Sequence, residues 1–271
     1  MAATEWTARV ARGCGAEVTI VHAVAPLLEH MFSIPPLESD VLVSLISTEL
    51  AGPWSEPLRA AGVEFESQLV EDYAAAALVL SVRRKKASLL VVGRHGHTRW
   101  APHAMGGVVH KVLHDAACPV VIVPTLEEGV VADDLMDIVV GVDGSGSSLA
   151  ALDWAIRHAQ MLGTSVRAVS AVHIQAGGDV VWLAPTDEEK AIEAADNALG
   201  RILESKAAET DVELTMRITL GHPGESLVDQ SEKAALVVLG SRGLGSVASL
   251  LIGSTSHFVA TRSHCPTVIV T

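Results

Sequence analysis

The stretch GSRGLGSVASLLIGS, residues 240–254, decides how this chain is read. It follows the apolar run ALVVL and precedes a helix-like segment, with glycines at 240, 243 and 253 and a serine at 254. A loop that leaves the C-terminal end of a strand and enters a helix N-terminus is where anions bind in open α/β sheets. Gly240 and Gly243 let backbone N–H groups approach a phosphate with no Cβ in the way. Gly253 and Ser254 open the next helix at its positive dipole end, and Arg242 can add charge. Glycine-rich turns between strand and helix are common, so the spacing alone leaves phosphate binding and a plain turn equally open. A second version, GRHGHTRWAPHAMGG at 93–107, keeps the glycines and changes almost everything else.

The two versions belong to a tandem duplication. EWTARVARGCGAEVTIVHAV (5–24) lies over DWAIRHAQMLGTSVRAVSAV (153–172), pairing Trp6 with Trp154, Arg9 with Arg157 and Gly15 with Gly163. LLVVG (89–93) matches LVVLG (236–240), and ACPVVIV (117–123) matches HCPTVIV (264–270). The spacing predicts a first domain over 1–125, an acidic linker over 126–136 and a second domain over 137–271.

In the second copy, DIVVGVD (137–143) reads as a buried strand ending in the turn and cap residues DGSGSS. A helix is expected over 148–162, closing at Gly163, then a strand over 165–172. An amphipathic helix over 187–208, with Thr186 as its cap, precedes an alternating strand at 212–220. Pro223 can start another helix, followed by LVVLG, the glycine loop, a helix from about Ser254, and PTVIV. Strands alternating with helices imply an α/β fold with a parallel sheet and right-handed crossovers.

The first copy enters this order late, because Met1–Trp6 aligns with the start of the first helix and nothing corresponds to DIVVGVDGS. The first strand of a doubly wound sheet normally lies near its middle, beside the switch point where ligands bind. Its loss leaves a gap of two strand spacings, roughly 9–10 Å. Four buried aliphatics like Ile138, Val139, Val140 and Val142 are worth roughly 6–12 kcal/mol, comparable to a domain's net stability. The first half is therefore expected to be incomplete, rearranged or dependent on the second. A true start upstream of Met1 would explain the gap equally well.

VGVDGS (140–145), GSRGLG (240–245), the G-2x-G-9x-G-S spacing of 240–254 and the Cys-Pro pair before the last apolar strand together resemble the universal stress protein family, in the tandem form typical of actinobacteria. The resemblance spans the whole chain. It implies two doubly wound parallel sheets with strand order 3-2-1-4-5, the first lacking strand 1, and ATP, with Mg²⁺, across the switch point. It implies that Asp143 contacts the adenosine and Val172 borders the adenine. Leu239, Gly240, Arg242 and Gly243 would follow the ribose and phosphates, and Gly253 and Ser254 would hold the triphosphate. It also implies an intramolecular pseudo-dimer through the final strands VVIV (120–123) and TVIV (267–270), with a homodimer of the whole chain as a further option. In the first copy Gly93, Gly96 and Gly106 survive, but Gly107 replaces the serine, Asp143 has no counterpart, and Trp100 and Pro102 are bulkier than their twins. Weak nucleotide binding or none is expected there.

A formal charge of −13 argues against non-specific attraction to nucleic acid or anionic lipid. The basic RRKK at 83–86 reads as a solvated helix end. The three cysteines form no C-x-x-C pair, no signal-peptide pattern opens the chain, and no apolar run suits a membrane span, so a cytoplasmic protein is expected. His95, His97, His103, His110 and His114 cluster in the altered loop and its helix, but no acid or cysteine stands at a fixed ligand spacing, and a metal is not expected. ATP as a regulatory or structural ligand is the leading reading. A slow ATPase or self-phosphorylating enzyme lacks a P-loop and an evident base, and a nucleotide-free interaction module is the third option.

Overall fold

The computed structural model describes residues 2–24, 36–95, 105–125, 136–172, 185–244 and 252–271. Residues 126–135 of the expected linker, and Gly96, His97, Trp100, Pro102 and His103, lie outside them. Two compact units broadly follow the repeats, one from Met1–His97 with Gly106–Thr125, the other from Leu126–Thr271 with Thr98–Met105.

The first unit runs α1 (Ala2–Cys14), β1 (Val18–Val24), α2 (Pro36–Ala51), α3 (Glu56–Ala60), β2 (Phe65–Glu71), α4 (Ala74–Lys85), β3 (Leu90–Gly93), α5 (Gly107–Asp115) and β4 (Val120–Val123). The second runs β5 (Ile138–Gly141), α6 (Gly146–Leu162), β6 (Val166–Val172), α7 (Pro185–Ala207), β7 (Leu214–Leu220), α8 (Pro223–Ser231), β8 (Leu236–Gly240), α9 (Ser254–Arg262) and β9 (Thr267–Val270).

In the second unit all five strands are parallel, in the order β7-β6-β5-β8-β9. In sequence terms this is the expected 3-2-1-4-5. Ile138, Val139 and Val140 of the central β5 are 0% exposed, which is why the strand reads as an unbroken aliphatic run instead of an alternating one. The next helix, α6, starts at Gly146, two residues before its expected start. Ser145 is its cap, accepting the Ser148 N–H at 3.2 Å. It ends where Gly163 turns left-handed at φ +68°. Helix α7 begins at Pro185, ahead of the expected cap Thr186; a proline at the first helical position gives up an N–H that would have no partner anyway.

The first unit keeps the repeat's backbone where the sequence is duplicated. The Arg94 N–H donates to Val123 at 2.8 Å as Ser241 does to Val270, and Ala16 donates to Ala11 as Thr164 does to Ala159, both at 3.1 Å. Its sheet is broken where the strand is missing. Strands β1 and β2 form a separate two-stranded parallel sheet, while β3 pairs with β4. A small cluster of Ala8, Ala11, Leu58 and Val63 supports β1 through Val18 and Ile20.

Helix α6, which carries one side of the site, buries a histidine. His158 is 4% exposed and stacks on Trp154 with centroids 4.6 Å apart, and its Nε2 has no hydrogen-bond partner among the described residues. Burial pushes its imidazole down to about 4, so it is neutral in the folded protein at neutral pH. Below the ordinary value of 6.5 the unfolded chain takes up a proton that the folded chain does not. Stability should therefore fall as pH drops from 6.5 to about 4. His158→Phe should flatten that part of the urea-midpoint profile and leave the profile above pH 7 unchanged.

Candidate functional site

Strand β5 pairs with β8 through Ile138↔Leu236, Val139↔Val237 and Val140↔Val238. The segments that leave these two strands, 142–148 and 241–244, therefore emerge side by side at the carboxyl end of the sheet. Two of the expected site glycines lie directly between them. A Cβ on Gly240 would stand 2.6 Å from the Ser147 carbonyl carbon and 2.7 Å from its oxygen. A Cβ on Gly243 would stand 2.5 Å from Asp143 Oδ2. Only glycine permits this approach, because the obstacle at Gly240 is backbone.

Side chains tie the two segments together. Asp143 Oδ1 accepts the Ser145 N–H at 3.0 Å and its hydroxyl at 2.6 Å, and Oδ2 accepts the Leu244 N–H at 3.0 Å. The Ser147 hydroxyl donates to the Arg242 carbonyl. Burial pushes the Asp143 carboxyl up, but hydrogen bonds from Ser145, from the Leu244 N–H and from Ser148 outweigh it and hold the group below its ordinary range.

The far end of the loop closes on the same strand. Gly253 donates to the Ser241 carbonyl at 2.7 Å, and the buried hydroxyl of Ser256 donates to the Gly240 carbonyl at 2.7 Å. Gly253 caps α9 without a side chain, so the N–H groups of that helix's first turn take no side-chain partner at the cap. Exposed Arg242 stands on the same loop. Backbone donors, a helix N-terminus and a guanidinium are suited to an anionic ligand.

The chain matches the universal stress protein family over residues 1–124 and 135–271. It belongs to that family. It is 31% identical to a universal stress protein of Mycobacterium tuberculosis over 274 aligned positions, covering 98% of this chain and 91% of the relative. A relative from Mycolicibacterium smegmatis is 26% identical, covering 99% and 92%. A solved universal stress protein from Archaeoglobus fulgidus shares the fold at a TM-score of 0.72 and 21% identity, over 99% of this chain and 92% of its own. A universal stress protein solved in complex with cAMP is 27% identical over 51% of this chain and 98% of its own, at a TM-score of 0.41.

Of the residues expected to form the universal stress protein site, Asp143, Gly240, Arg242 and Gly243 come together where the two segments join, and Gly253, which caps the helix that Ser254 opens, closes onto Ser241. The position expected for Gly253 is 3.6 Å from the Arg242 Cα when a Cβ is added to it. Leu239 is 4% exposed, so its side chain belongs to the core and only its backbone can face a ligand. Val172 ends the neighbouring β6, three residues beyond the Val169 that opposes Gly141, and its carbonyl takes the Gly221 N–H at 3.1 Å. No described hydrogen bond joins it to the glycine loop. The sequence reading gave DGSGSS as turn and cap residues, of which Ser145 is the cap; it did not single out the bond from Ser147 to Arg242, nor Ser256.

In the first copy the loop closes in the same way, with Gly106 donating to the Arg94 carbonyl at 3.3 Å. Val109, 3% exposed, stands where Ser256 stands in the second copy. His114 Nδ1 lies 2.6 Å from Asp115 Oδ1, and among the described residues no three potential metal ligands converge.

The close approach at Gly240 makes a direct test. Gly240→Ala should destabilise the protein by roughly 1–3 kcal/mol through overpacking against Ser147. Gly253→Ala, whose nearest neighbour would be at 3.6 Å, should cost about 0.5 kcal/mol or less in the same urea titration.

Proposed function

We propose that the second repeat binds ATP as a structural or regulatory ligand. The observation that carries this reading is the cradle at the carboxyl ends of β5 and β8, where Gly240 lies against the backbone of Ser147 with no room for a Cβ and Gly243 lies against the Asp143 carboxylate. That place is the switch point of the strand order, where open α/β sheets take ligands. Asp143 is assigned to the adenosine and Val172 to the adenine edge. The backbones of Leu239, Gly240 and Gly243, with Arg242, are assigned to ribose and phosphates, and Gly253 and Ser254 to the triphosphate end.

The donor set fits a phosphate chain: backbone N–H groups, a helix N-terminus and one guanidinium. It offers a divalent cation little, since Asp143 already accepts three hydrogen bonds and no acidic cluster stands beside it among the described residues. Mg²⁺ would therefore arrive on the triphosphate and be held mainly by it.

The first repeat is assigned no nucleotide. Gly107 replaces Ser254, and a lost hydroxyl bond to a charged phosphate costs on the order of 1.5–3 kcal/mol, about ten- to a hundredfold in affinity.

Calorimetric titration of the full chain with MgATP should show one site. Ser254→Ala and Arg242→Ala should each weaken it about tenfold or more, while the equivalent change at the other repeat, Gly107→Ala, should leave it unchanged. Absence of binding in the unmodified chain, or affinity indifferent to both second-repeat substitutions, would contradict the assignment.

A further inference from the structure

The two units differ sharply in charge at the amino ends of their strands. Helix α4 ends in Arg83, Arg84 and Lys85, and Lys86 is its cap. All four are exposed. Lys85 pairs with Glu66, while the side chains of Arg83, Arg84 and Lys86 meet no acid among the described residues. Cations suit the negative end of a helix dipole, but the duplicated helix does without them: Gln230, Ser231, Glu232 and Lys233 stand at the equivalent positions. Lys86 is also held at φ +49°, the one positive φ outside glycine among the described residues, in a left-handed cap that glycine or asparagine usually fills. Leu80, one turn before Arg84 on the same helix face, is 36% exposed.

The second unit carries the opposite charge in concave form. A groove of about 630 Å³ opens at the amino ends of β6 and β7, and Gln160, the turn 163–165, Asp211 and Glu213 line it. The Gln160 amide donates to the Thr210 hydroxyl at 3.0 Å. The Ser165 hydroxyl donates to Asp137, which also takes Arg167. Asp211 and Glu213 are exposed, and their carboxylates meet no cation among the described residues. In the first unit Val18 pairs with Phe65 as Val166 pairs with Leu214, which puts Gly62 where Asp211 stands. Arg12 stands where Gln160 does. The first unit therefore has one carboxylate fewer and one cation more at this place. Met161, next to Gln160, is 51% exposed.

We infer that the basic end of α4 in one copy of the chain seats in the acidic groove of a second copy. The guanidinium groups of Arg83 and Arg84 meet the carboxylates of Asp211 and Glu213 in the two-pronged pairing that arginine and carboxylate favour. Leu80 and Met161 supply apolar contact beside them. A groove of this volume lies within the range that encloses small ligands, so it admits the ends of two long side chains.

Charge complementarity selects the occupant. The chain carries −13 overall, so a nucleic acid or an anionic bilayer would be repelled over most of the surface it met. The groove instead gathers unpaired acids at one place, on a surface that every copy presents. It lies at the amino ends of its strands, so its occupation leaves the cradle at the carboxyl ends of β5 and β8 uncovered.

Sedimentation equilibrium of the full chain, with two charge-reversed variants, tests the contact. The unmodified chain should self-associate with rising concentration at about 0.15 M salt, and less so at about 1 M, where screening shortens to about 3 Å. Arg83→Glu with Arg84→Glu sets acid against acid, and Asp211→Lys with Glu213→Lys sets base against base. Each pair of changes should weaken association about tenfold or more and leave the Tm nearly unchanged, because all four side chains are exposed. Mixed together, the two variants should associate again, since each reversed surface then finds its complement. An unmodified chain that stays monomeric at every concentration would overturn the inference. So would association that survives either reversal, or variants that remain apart on mixing.

Discussion

The site depends on β5 being hydrogen-bonded along both edges. Its pairing with β8 fixes where residue 142 leaves the sheet, and its pairing with β6 fixes the plane. From there Asp143 and Ser147 reach across to Leu244 and Arg242, and the glycine loop has a wall to lie against. The first repeat shows the same loop without such a strand beside it among the described residues. It retains the loop closure that needs only β3, β4 and α5, with Arg94 bonded to Val123 and Gly106 to Arg94. It lacks the wall. Loop closure and ligand cradle are thus separable, and β5 supplies the second.

A consequence concerns Asp143. Its carboxylate already spans the two segments, taking two donors from Ser145 and one from Leu244. A nucleotide contacting this group would share it with the loop's own closure. Occupancy and loop position would then be linked, provided the ligand prefers one arrangement of the loop. The depressed pKa keeps the clamp charged through the physiological range, so acid and not mild pH change would release it.

Much of the fold was legible in the sequence because buried parallel strands leave unbroken aliphatic runs: DIVVG, LVVLG and PTVIV each became a strand. The duplication made the missing strand visible before any coordinates, and the separation of β1–β2 from β3–β4 is its physical result. The glycines were legible as positions that exclude a Cβ, but the sequence offered a phosphate as the reason, and what Gly240 meets in the fold is the backbone of Ser147. The serines were not. DGSGSS reads as generic turn chemistry, which covers the local bonds by which Ser145 caps α6 and Ser148 bonds back to Ser145, but only the β5–β8 pairing brings Ser147 to the Arg242 carbonyl. Ser256 was hidden for another reason. One turn inside a helix it looks like an ordinary small residue, yet its hydroxyl is buried on the Gly240 carbonyl, and its replacement by Val109 separates the repeats as clearly as the Ser254–Gly107 change does.

The central claim is that the second repeat, and it alone, holds a nucleotide. Its most direct test is the nucleotide released on denaturing the chain purified without added ATP, quantified by mass spectrometry and absorbance. The account predicts about one adenine nucleotide per chain, disappearing when Asp143→Ala is introduced. A chain that releases none and takes up none when MgATP is supplied would contradict it, as would one that releases two.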